Sequence, residues 1–335
     1  MAALQRIAIV GAGAWGTALA TVARRAGRDV AVWARSAEIA AEINGGHSNK
    51  TYLPDIALDP AIKASGDLAV LRDADALLWV TPAQHLREVA ARAAPHLRGG
   101  VPVVLCCKGF EQGSGELMTE VAAEALPRSP IAVLSGPTFA AEVARGLPTA
   151  VTLAAANAAL GRELVQALGT AAFRPYLSTD PIGAEVGGAV KNVLAIACGI
   201  AMGRKLGDNA RAALLTRGLA EIMRLGLALG AQPATLMGLS GLGDLTLTCN
   251  GRQSRNLSLG IALGEGQMLA AYLAGRRTVA EGLFSASAVT ARARSLKIEM
   301  PIAEAVDAIV NRNADIGETI TALLSRPFRE EAAGD

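Results

Sequence analysis

The sequence Ile7-Ala8-Ile9-Val10-Gly11-Ala12-Gly13-Ala14-Trp15-Gly16 decides the fold of the first half of this chain. Its apolar start predicts a short strand, its glycines follow the spacing G-x-G-x-x-G, and residues 17–23 predict a helix. Gly11 permits a tight turn, Gly13 lets the backbone approach a pyrophosphate, and Gly16 lets the helix pack against the strand. The helix N-terminus then offers unpaired N–H groups to phosphates. Because the turn lies between a strand and a helix, we expect a dinucleotide site rather than a glycine-rich loop without a ligand.

Length and charge limit the classes of protein to which the chain can belong. Its 335 residues are enough for about two domains. The formal net charge of +2, without blocks of like charge, argues against nucleic acid as a partner. No uninterrupted apolar stretch reaches ~18 residues, and the glycine turn interrupts the N-terminal apolar run. We therefore expect neither stable membrane insertion nor a signal peptide.

Cysteine and histidine usage gives no sign of a metal site. The four cysteines, at positions 106, 107, 198 and 249, include no C-x-x-C pair, and the histidines do not cluster. We expect no bound metal, and the cysteine usage fits a reducing cytoplasm. The sequence also has no G-x-S-x-G motif, which argues against a Ser/His/Asp hydrolase.

The pattern of the chain changes near residue 182. Before it, short apolar runs alternate with helical segments, as expected for a doubly wound parallel sheet with helices on both faces. The runs that predict strands are 6–10, 30–33, 76–80, 101–107, 131–134, 149–154 and 173–177. After it, the pattern is helical. We therefore predict an α/β fold with a Rossmann-type dinucleotide-binding domain at 1–182, an all-α substrate domain at 183–326 and a charged tail at 327–335.

The end of the second predicted strand bears on the choice of dinucleotide. NAD sites usually place Asp or Glu there to bind the ribose 2′-hydroxyl. Here the strand is followed by Ala34-Arg35-Ser36, without an acid. Arg35 could pair with a 2′-phosphate or stack on adenine, and the alternative is a solvated loop residue. We predict a preference for NADPH, with NADH left open as a second cofactor.

One lysine interrupts an apolar helix in the second half. Residues 185–198 are apolar on most sides, which predicts burial, and Lys191 lies among them. A buried ammonium is costly unless it is paired or its pKa falls, and a lowered pKa suits a general acid or base near neutral pH. The alternatives are a lysine that reaches the surface or one that pairs with Glu185. Since these two residues are six positions apart and face different sides, we favour the functional interpretation.

Two segments follow predicted strands of the sheet. Lys108 comes directly after strand 101–107, and ligands of open parallel sheets bind outside the carboxyl ends of the strands. Residues 134–140 leave another strand through a Gly-Pro turn, with the Thr138 hydroxyl beside it. Both segments could therefore face a cofactor cleft, although each alone could be an ordinary turn.

Two segments of the helical half also carry candidate ligand groups. The glycine-rich loop 238–244 has no strand before it, so we expect it to present Asp244 through a close backbone approach. Ser254-Arg255-Asn256 opens a predicted helix, where an N-cap and an arginine fork could bind an anion. The alternative for the second segment is a simple capped helix with a solvated arginine.

Together these motifs resemble the bacterial type of NAD(P)-dependent glycerol-3-phosphate dehydrogenase, and the resemblance extends over nearly the whole chain. The matching segments are GAGAWGTALA at 11–20, Asn44…His47…Tyr52-Leu53-Pro54, Lys108-Gly109, SGPTFA at 135–140, Glu185-Val186…Lys191-Asn192, LGDL at 242–245, Ser254-Arg255-Asn256 and VAEG at 279–282. The family reduces dihydroxyacetone phosphate to sn-glycerol 3-phosphate with NAD(P)H. The resemblance implies an oxidoreductase with a 6-phosphogluconate-dehydrogenase-like fold, a homodimer in the cytoplasm, and a role in glycerophospholipid synthesis.

The resemblance also implies roles for individual residues. Lys191 is expected to be the catalytic acid/base, supported by Asn192 and Thr248. The substrate-binding residues that it implies are Lys108, Gly136, Thr138, Lys191, Asp244, Ser254, Arg255 and Asn256. The cofactor-binding residues that it implies are Gly11, Gly13, Ala14, Trp15, Gly16, Arg35, Lys108, Ala140, Arg255, Val279 and Glu281.

Two other functions are compatible with the residues alone. A β-hydroxy acid dehydrogenase of the 3-hydroxyisobutyrate type would use a related helix lysine with a carboxylate-binding pocket. Comparing turnover of dihydroxyacetone phosphate with that of its unphosphorylated form separates this alternative. A non-catalytic NADPH-sensing module would keep the glycine turn but would have no use for Lys191, so Lys191→Ala distinguishes it.

Overall fold

The first part of the protein is built on one eight-stranded sheet. The structure, a computed structural model, describes residues 4–274, 276 and 280–328. The strands are β1 (Arg6–Val10), β2 (Asp29–Trp33), β3 (Lys63–Ser65), β4 (Ala76–Trp79), β5 (Val103–Leu105), β6 (Ile131–Ser135), β7 (Thr149–Ala155) and β8 (Phe173–Ser178). Their order in the sheet is β3-β2-β1-β4-β5-β6-β7-β8. The order reverses between β1 and β4, and the crevice at their carboxyl ends is where such sheets bind ligands.

Both faces of the sheet are covered by helices. Successive residues of a strand point to opposite faces, so Ile7 and Ile9 of β1 enter one apolar core while Ala8 and Val10 enter another. This double burial explains why the strands are almost continuously apolar. The helices of this part are α1 (Ala14–Arg25), α2 (Ala37–Ala41), α3 (Leu86–Ala93), α4 (Met118–Ala125), α5 (Ala140–Arg145) and α6 (Ala158–Leu168).

The sheet differs from the expected all-parallel arrangement at one pair of strands. β7 runs antiparallel to β6, with Leu134 opposite Leu153, and β8 is parallel to β7. The reason is the short connection, because the six residues of α5 rise only ~9 Å. A right-handed return along the five residues of β6 would need ~17 Å. β7 therefore begins at the same end of the sheet at which β6 finishes, and the two strands run antiparallel.

The second part is helical and packs around one central helix. Its helices are α7 (Pro181–Gly203), α8 (Asp208–Ala228), α9 (Pro233–Leu236), α10 (Asp244–Asn250), α11 (Arg255–Gly264), α12 (Leu269–Leu273), α13 (Gly282–Ser295), α14 (Pro301–Arg312) and α15 (Ile316–Leu324). α7 is long and apolar enough to cross a membrane by composition, yet 83% of its most apolar window is buried inside the protein. It is the core helix of this part, and the described residues hold no second helix of that kind.

α7 begins earlier than its sequence predicts. The expected helix started at residue 184, but the helix starts at Pro181, so the predicted boundary between residues 182 and 183 falls in its first turn. Proline suits the first helical position because its missing N–H would be unpaired there. Asp180 caps the helix by accepting a hydrogen bond from the Gly183 N–H at 2.9 Å. Of the predicted charged tail, residues 329–335 lie outside the described residues.

α7 and α11 pack unusually close to one another. A methyl group on Gly260 of α11 would lie 2.2 Å from the Ile196 carbonyl oxygen of α7, and one on Gly199 would lie 2.3 Å from the Leu257 carbonyl oxygen. Only glycine fits at these positions, because the obstacles are backbone atoms. The contact fixes the N-terminus of α11, with its Ser254-Arg255-Asn256 turn, beside the middle of α7.

Candidate active site

The glycine turn after β1 has the geometry of a phosphate cradle. Gly11 has φ +118°, which disfavours a side chain, and a methyl group on Gly16 would lie 1.9 Å from the Gly11 carbonyl oxygen. At Gly13, in contrast, no heavy atom lies within 4 Å of the position of a methyl group. The backbone is therefore open at Gly13, directly before the N-terminus of α1. This arrangement suits the pyrophosphate of a dinucleotide.

Lys191 is buried in the middle of α7. Its side chain is 8% exposed, and its ammonium forms a short ion pair with the Asp244 carboxylate at the start of α10. It also donates to the Thr248 hydroxyl at 2.8 Å, and that hydroxyl donates to the Asp244 carbonyl oxygen at 2.6 Å. An ammonium has three N–H donors. Two of them contact acceptors among the described residues, which leaves the third for a substrate oxygen.

A second lysine shares the same carboxylate. Lys108, three residues after β5, contacts Oδ2 of Asp244 at 2.5 Å, whereas Lys191 contacts Oδ1. The Asp244 side chain is fully buried. Two ammonium groups and one carboxylate leave an excess of positive charge at a buried position, which favours an anionic ligand or a developing oxyanion.

The environment of Lys191 lowers its pKa from the ordinary 10.5 to about 8. Burial is the largest cause, because it disfavours the charged form, and the neighbouring Lys108 charge acts in the same direction. The Asp244 carboxylate opposes both effects and keeps the pKa from falling further. A lysine in this range can give and take a proton near neutral pH.

The turn after β6 completes one side of this cluster. The carbonyl oxygen of Gly136 accepts hydrogen bonds from the Lys108 ammonium at 3.3 Å and from the Thr138 hydroxyl at 3.2 Å. Ala140 is half-buried at the start of α5. Residues that follow β5 and β6 are therefore in direct contact with residues of α7 and α10, or with each other, at the carboxyl edge of the sheet.

The Ser254-Arg255-Asn256 turn joins the cluster through α7. Ser254 caps α11 by accepting from the Leu257 N–H at 3.2 Å, and Arg255 is exposed. The Asn256 side chain donates to the Asn192 side-chain oxygen at 2.9 Å and accepts from the Gly282 N–H at 2.9 Å. Since Asn192 follows Lys191 directly, the turn lies next to the buried lysine.

The remaining candidate cofactor residues surround the same edge of the sheet. Ala14 and Trp15 are half-buried in the first turn of α1, and Arg35 is exposed after β2. Val279 lies outside the described residues. Glu281 is partly buried, and desolvation raises its pKa against the positive charges of Arg255, Lys108 and Lys191. These charges place Glu281 within electrostatic reach of the lysine cluster.

Comparison with known proteins agrees with this geometry. The model of the NAD-dependent glycerol-3-phosphate dehydrogenase N-terminus matches residues 6–161, and that of the C-terminus of the same enzymes matches residues 180–321. The chain belongs to this family. Glycerol-3-phosphate dehydrogenase [NAD(P)+] of Parvibaculum lavamentivorans is 61% identical over 98% of the chain and 99% of the relative. The enzyme of the same name from Rhodospirillum rubrum is 59% identical over 99% of the chain and 95% of the relative.

A solved structure supports the same assignment. The crystal structure of glycerol-3-phosphate dehydrogenase from Coxiella burnetii superposes with a TM-score of 0.92 at 42% identity, covering 96% of this chain and 99% of the other. The resemblance predicted from the motifs is thereby confirmed at the level of the family. The 3-hydroxyisobutyrate type and the sensing module lose support, because both family halves and the near-full-length relatives point to one enzyme class.

Two contacts and one unpaired hydroxyl of this glycerol-3-phosphate dehydrogenase fold escaped sequence reasoning. The Asn49 side chain donates to the Ala12 carbonyl oxygen at 2.9 Å and to the Thr17 hydroxyl at 2.8 Å, which braces the glycine turn from behind. The buried Ser135 hydroxyl lacks a hydrogen-bond partner among the described residues. Glu185 binds a helix of the other domain instead of Lys191. No local sequence signal identifies the partners of Asn49 and Glu185, because both contacts span a long sequence separation.

The part of the chain that the structure describes contains no group of side chains suited to bind a metal ion. Within residues 4–274, 276 and 280–328, no three His, Cys, Asp or Glu side chains are grouped so that they could hold a metal ion.

Proposed function

We propose that the protein reduces dihydroxyacetone phosphate to sn-glycerol 3-phosphate with NADPH or NADH, reversibly, with Lys191 as the acid/base. The observation that carries this proposal is the buried cluster in which Lys191 and Lys108 share the Asp244 carboxylate. The family and its near-full-length relatives support the reaction. The open backbone at Gly13 and the N-terminus of α1 fit the pyrophosphate of the dinucleotide.

The chain's own residues supply the proton and the positive field. When bound, the reduced nicotinamide supplies the hydride. As the carbonyl oxygen gains negative charge, Lys191 donates a proton to it and becomes neutral, which its lowered pKa favours. Lys108 polarises the carbonyl, and Asp244 holds both ammonium groups in place. In the oxidative direction Lys191 takes the proton from the C2 hydroxyl.

The phosphate of the substrate orients the carbonyl. We assign it to Arg255 and to the backbone N–H groups at the N-terminus of α11, where a guanidinium fork and a helix dipole both favour an anion. Binding energy from the phosphate is then used to align the reacting carbon. Gly136, Thr138, Ser254 and Asn256 are assigned to the remaining oxygens of the substrate.

The cofactor is assigned to the carboxyl edge of the sheet. Arg35 follows β2 and Lys108 follows β5, three strand spacings away, or ~14 Å. A dinucleotide lying along this edge would place its adenine end at Arg35 and its nicotinamide end at the lysines. Trp15, Ala140 and Glu281 would contact it between these ends, and Val279 is assigned to the same site by the family motif.

Three broader assignments complete the proposal. Its product, a glycerol phosphate, suits a role in glycerophospholipid synthesis in the cytoplasm. A homodimer is proposed from the family resemblance, and the large apolar side chains exposed on the helical part, among them Leu206 at 46% and Leu227 at 48%, are candidates for its interface. Light scattering in solution tests the dimer, since a mass near 34.2 kDa would contradict it.

An absorbance assay at the nicotinamide band tests the reaction. We expect turnover of dihydroxyacetone phosphate, much weaker turnover of unphosphorylated dihydroxyacetone, and loss of turnover in Lys191→Ala with cofactor binding intact. Lys63→Ala, an exposed lysine on β3, is the matched control and should keep full activity. Full turnover in Lys191→Ala would contradict the proposal.

A further inference from the structure

A buried carboxyl group of α7 caps a helix of the other domain. Glu185, which is 6% exposed, accepts a hydrogen bond from the Thr119 N–H at 3.0 Å and another from the Thr119 hydroxyl at 2.6 Å. Thr119 is the second residue of α4. The N-cap position of α4 is Leu117, whose side chain has no acceptor, and the Glu120 side chain accepts from the Leu117 N–H at 2.7 Å, so the local sequence supplies no side-chain acceptor for the Thr119 N–H. Glu185 supplies that acceptor from 66 positions away.

The capped helix is linked to the lysine that meets the substrate. Between Lys108 and Thr119 the chain forms a narrow loop closed by a bridge between Phe110 and Leu117. Both bridge residues are buried in the apolar core of the helical part rather than in the cores of the sheet. The position of Lys108 therefore depends on how this loop and the start of α4 are held against α7.

α7 carries both Glu185 and Lys191. Glu185 lies six positions before Lys191, which corresponds to ~9 Å along a rigid helix. Lys191 and Lys108 are thus connected through three links. α7 joins Lys191 to Glu185, hydrogen bonds join Glu185 to Thr119, and the loop joins Thr119 to Lys108. Asp244 connects the same two lysines directly, because its carboxylate contacts both ammonium groups.

We propose that Glu185 is a positioning residue that fixes Lys108 relative to Lys191 across the cleft between the two parts of the protein. The inference rests on the proposed function, because that function makes Lys108 and Lys191 the residues whose positions matter. It assigns Glu185 no contact with substrate or cofactor. Burial raises the pKa of Glu185 to about 8, and the two Thr119 hydrogen bonds oppose this rise and fix the orientation of the carboxyl group.

The chain provides a matched control for this role. Glu221 on α8 is 1% exposed and caps α14 from a distance, accepting from the Ile302 N–H at 2.7 Å and the Ala303 N–H at 3.1 Å. It has the same chemistry as Glu185, but neither of the helices that it joins carries a residue of the lysine cluster. Its loss should cost stability without displacing Lys108.

The experiment compares kcat, KM for dihydroxyacetone phosphate and the dissociation constant of NADPH in Glu185→Ala, Glu185→Gln and Glu221→Ala. All are measured well below the melting temperature of each variant. We expect Glu185→Ala to lower kcat/KM at least ~10-fold, because small misplacements of reacting groups are costly, with NADPH binding nearly unchanged. Glu185→Gln should restore most of it, since its oxygen can accept from the Thr119 N–H. Glu221→Ala should lower the melting temperature only.

Two results would overturn the inference. One is a kcat/KM in Glu185→Ala that equals that of Glu221→Ala, and the other is no recovery in Glu185→Gln. If Glu185→Ala does not fold, Glu185→Asp decides, because it keeps the carboxyl group but withdraws it from Thr119 by one methylene: a lowered kcat/KM supports the inference and an unchanged value overturns it. Lys191→Ala in the same assay separates the two proposals, since its full activity would defeat the proposed function, whereas a normal Glu185→Ala beside an inactive Lys191→Ala defeats only this inference.

Discussion

Lys191 and Asp244 form a buried ion pair in which the carboxylate also serves a second lysine. One carboxylate cannot neutralise two ammonium groups, so the site keeps a positive charge that burial makes costly. The cost appears as the lowered pKa of Lys191. The same feature that destabilises the charged lysine makes it ready to release a proton to a substrate oxygen.

Asp244→Asn should impair both stability and catalysis. The substitution leaves the buried Lys191 and the half-buried Lys108 without a counter-charge, and breaking a buried pair typically costs about 3–5 kcal/mol. Because Asp244 raises the pKa of Lys191, its loss should lower that pKa further and reduce kcat at neutral pH. Thermal unfolding and a pH–rate profile measure the two effects. Asp59→Asn, in an exposed ion pair with Arg24, is the control and should change little.

The rate of reduction should fall as the pH rises through about 8. The pKa of Lys191 is lowered to about 8, mainly by burial, and reduction needs the protonated lysine as an acid. The acid form is complete below this pH and disappears above it, so kcat/KM for dihydroxyacetone phosphate declines there. Oxidation of sn-glycerol 3-phosphate needs the neutral lysine and should rise over the same range. A reduction rate that stays constant up to pH ~10, the range of an ordinary lysine, would contradict the assignment.

The sequence predicts the elements with the strongest periodic signals. β1 is found at the predicted residues 6–10, because an apolar run buried on both faces leaves little doubt about its bounds. The predicted strand 101–107 is longer than β5, since residues of the same apolar character continue past the last ladder hydrogen bond. β3 was missed because Lys63–Ser65 is a short edge strand without an apolar pattern. α10 was missed because the glycines of 238–244 suggested a longer loop.

A site residue can be predicted when its residue type departs from the pattern of the sequence around it. Lys191 stands out because it is a charge in an apolar helix, and Asp244 because it ends a glycine-rich segment. Glu185 stands in the same apolar helix, but the sequence offers no way to find Thr119 as its partner. That contact depends on how two domains pack, which is a property of tertiary structure.

Arg255→Ala should mainly weaken binding of the phosphorylated substrate. A charged hydrogen-bonding fork is worth about 1.5–3 kcal/mol, so KM for dihydroxyacetone phosphate should rise ~10- to 100-fold. Turnover of unphosphorylated dihydroxyacetone should change little, and Arg255→Lys should recover only part of the loss because lysine cannot form the fork. Arg252→Ala, an exposed neighbour, is the control. Unchanged KM and kcat in Arg255→Ala would refute the role.

Arg35→Ala should reduce the use of NADPH more than that of NADH. Arg35 is exposed after β2, and the residues beside it, Ala34 and Ser36, include no acid that could bind the ribose 2′-hydroxyl. Losing its pairing with the 2′-phosphate should lower kcat/KM for NADPH ~10-fold or more, with NADH nearly unaffected. Steady-state rates with each cofactor measure this. Equal or better use of NADH by the unaltered protein would contradict the predicted preference.

Gly260→Ala should separate α11 from α7 and so disturb the substrate site from a distance. The added methyl group would lie 2.2 Å from the Ile196 carbonyl oxygen, and backbone atoms cannot move away as a flexible side chain can. Overpacking of this kind typically costs about 1–3 kcal/mol. Because α11 begins at Arg255, its displacement should also raise KM for dihydroxyacetone phosphate in the protein that remains folded. Gly45→Ala, where a methyl group meets no atom within 4 Å, should change neither the melting temperature nor KM. If Gly260→Ala melts and turns over like Gly45→Ala, the close packing of α7 and α11 does not hold the turn in place.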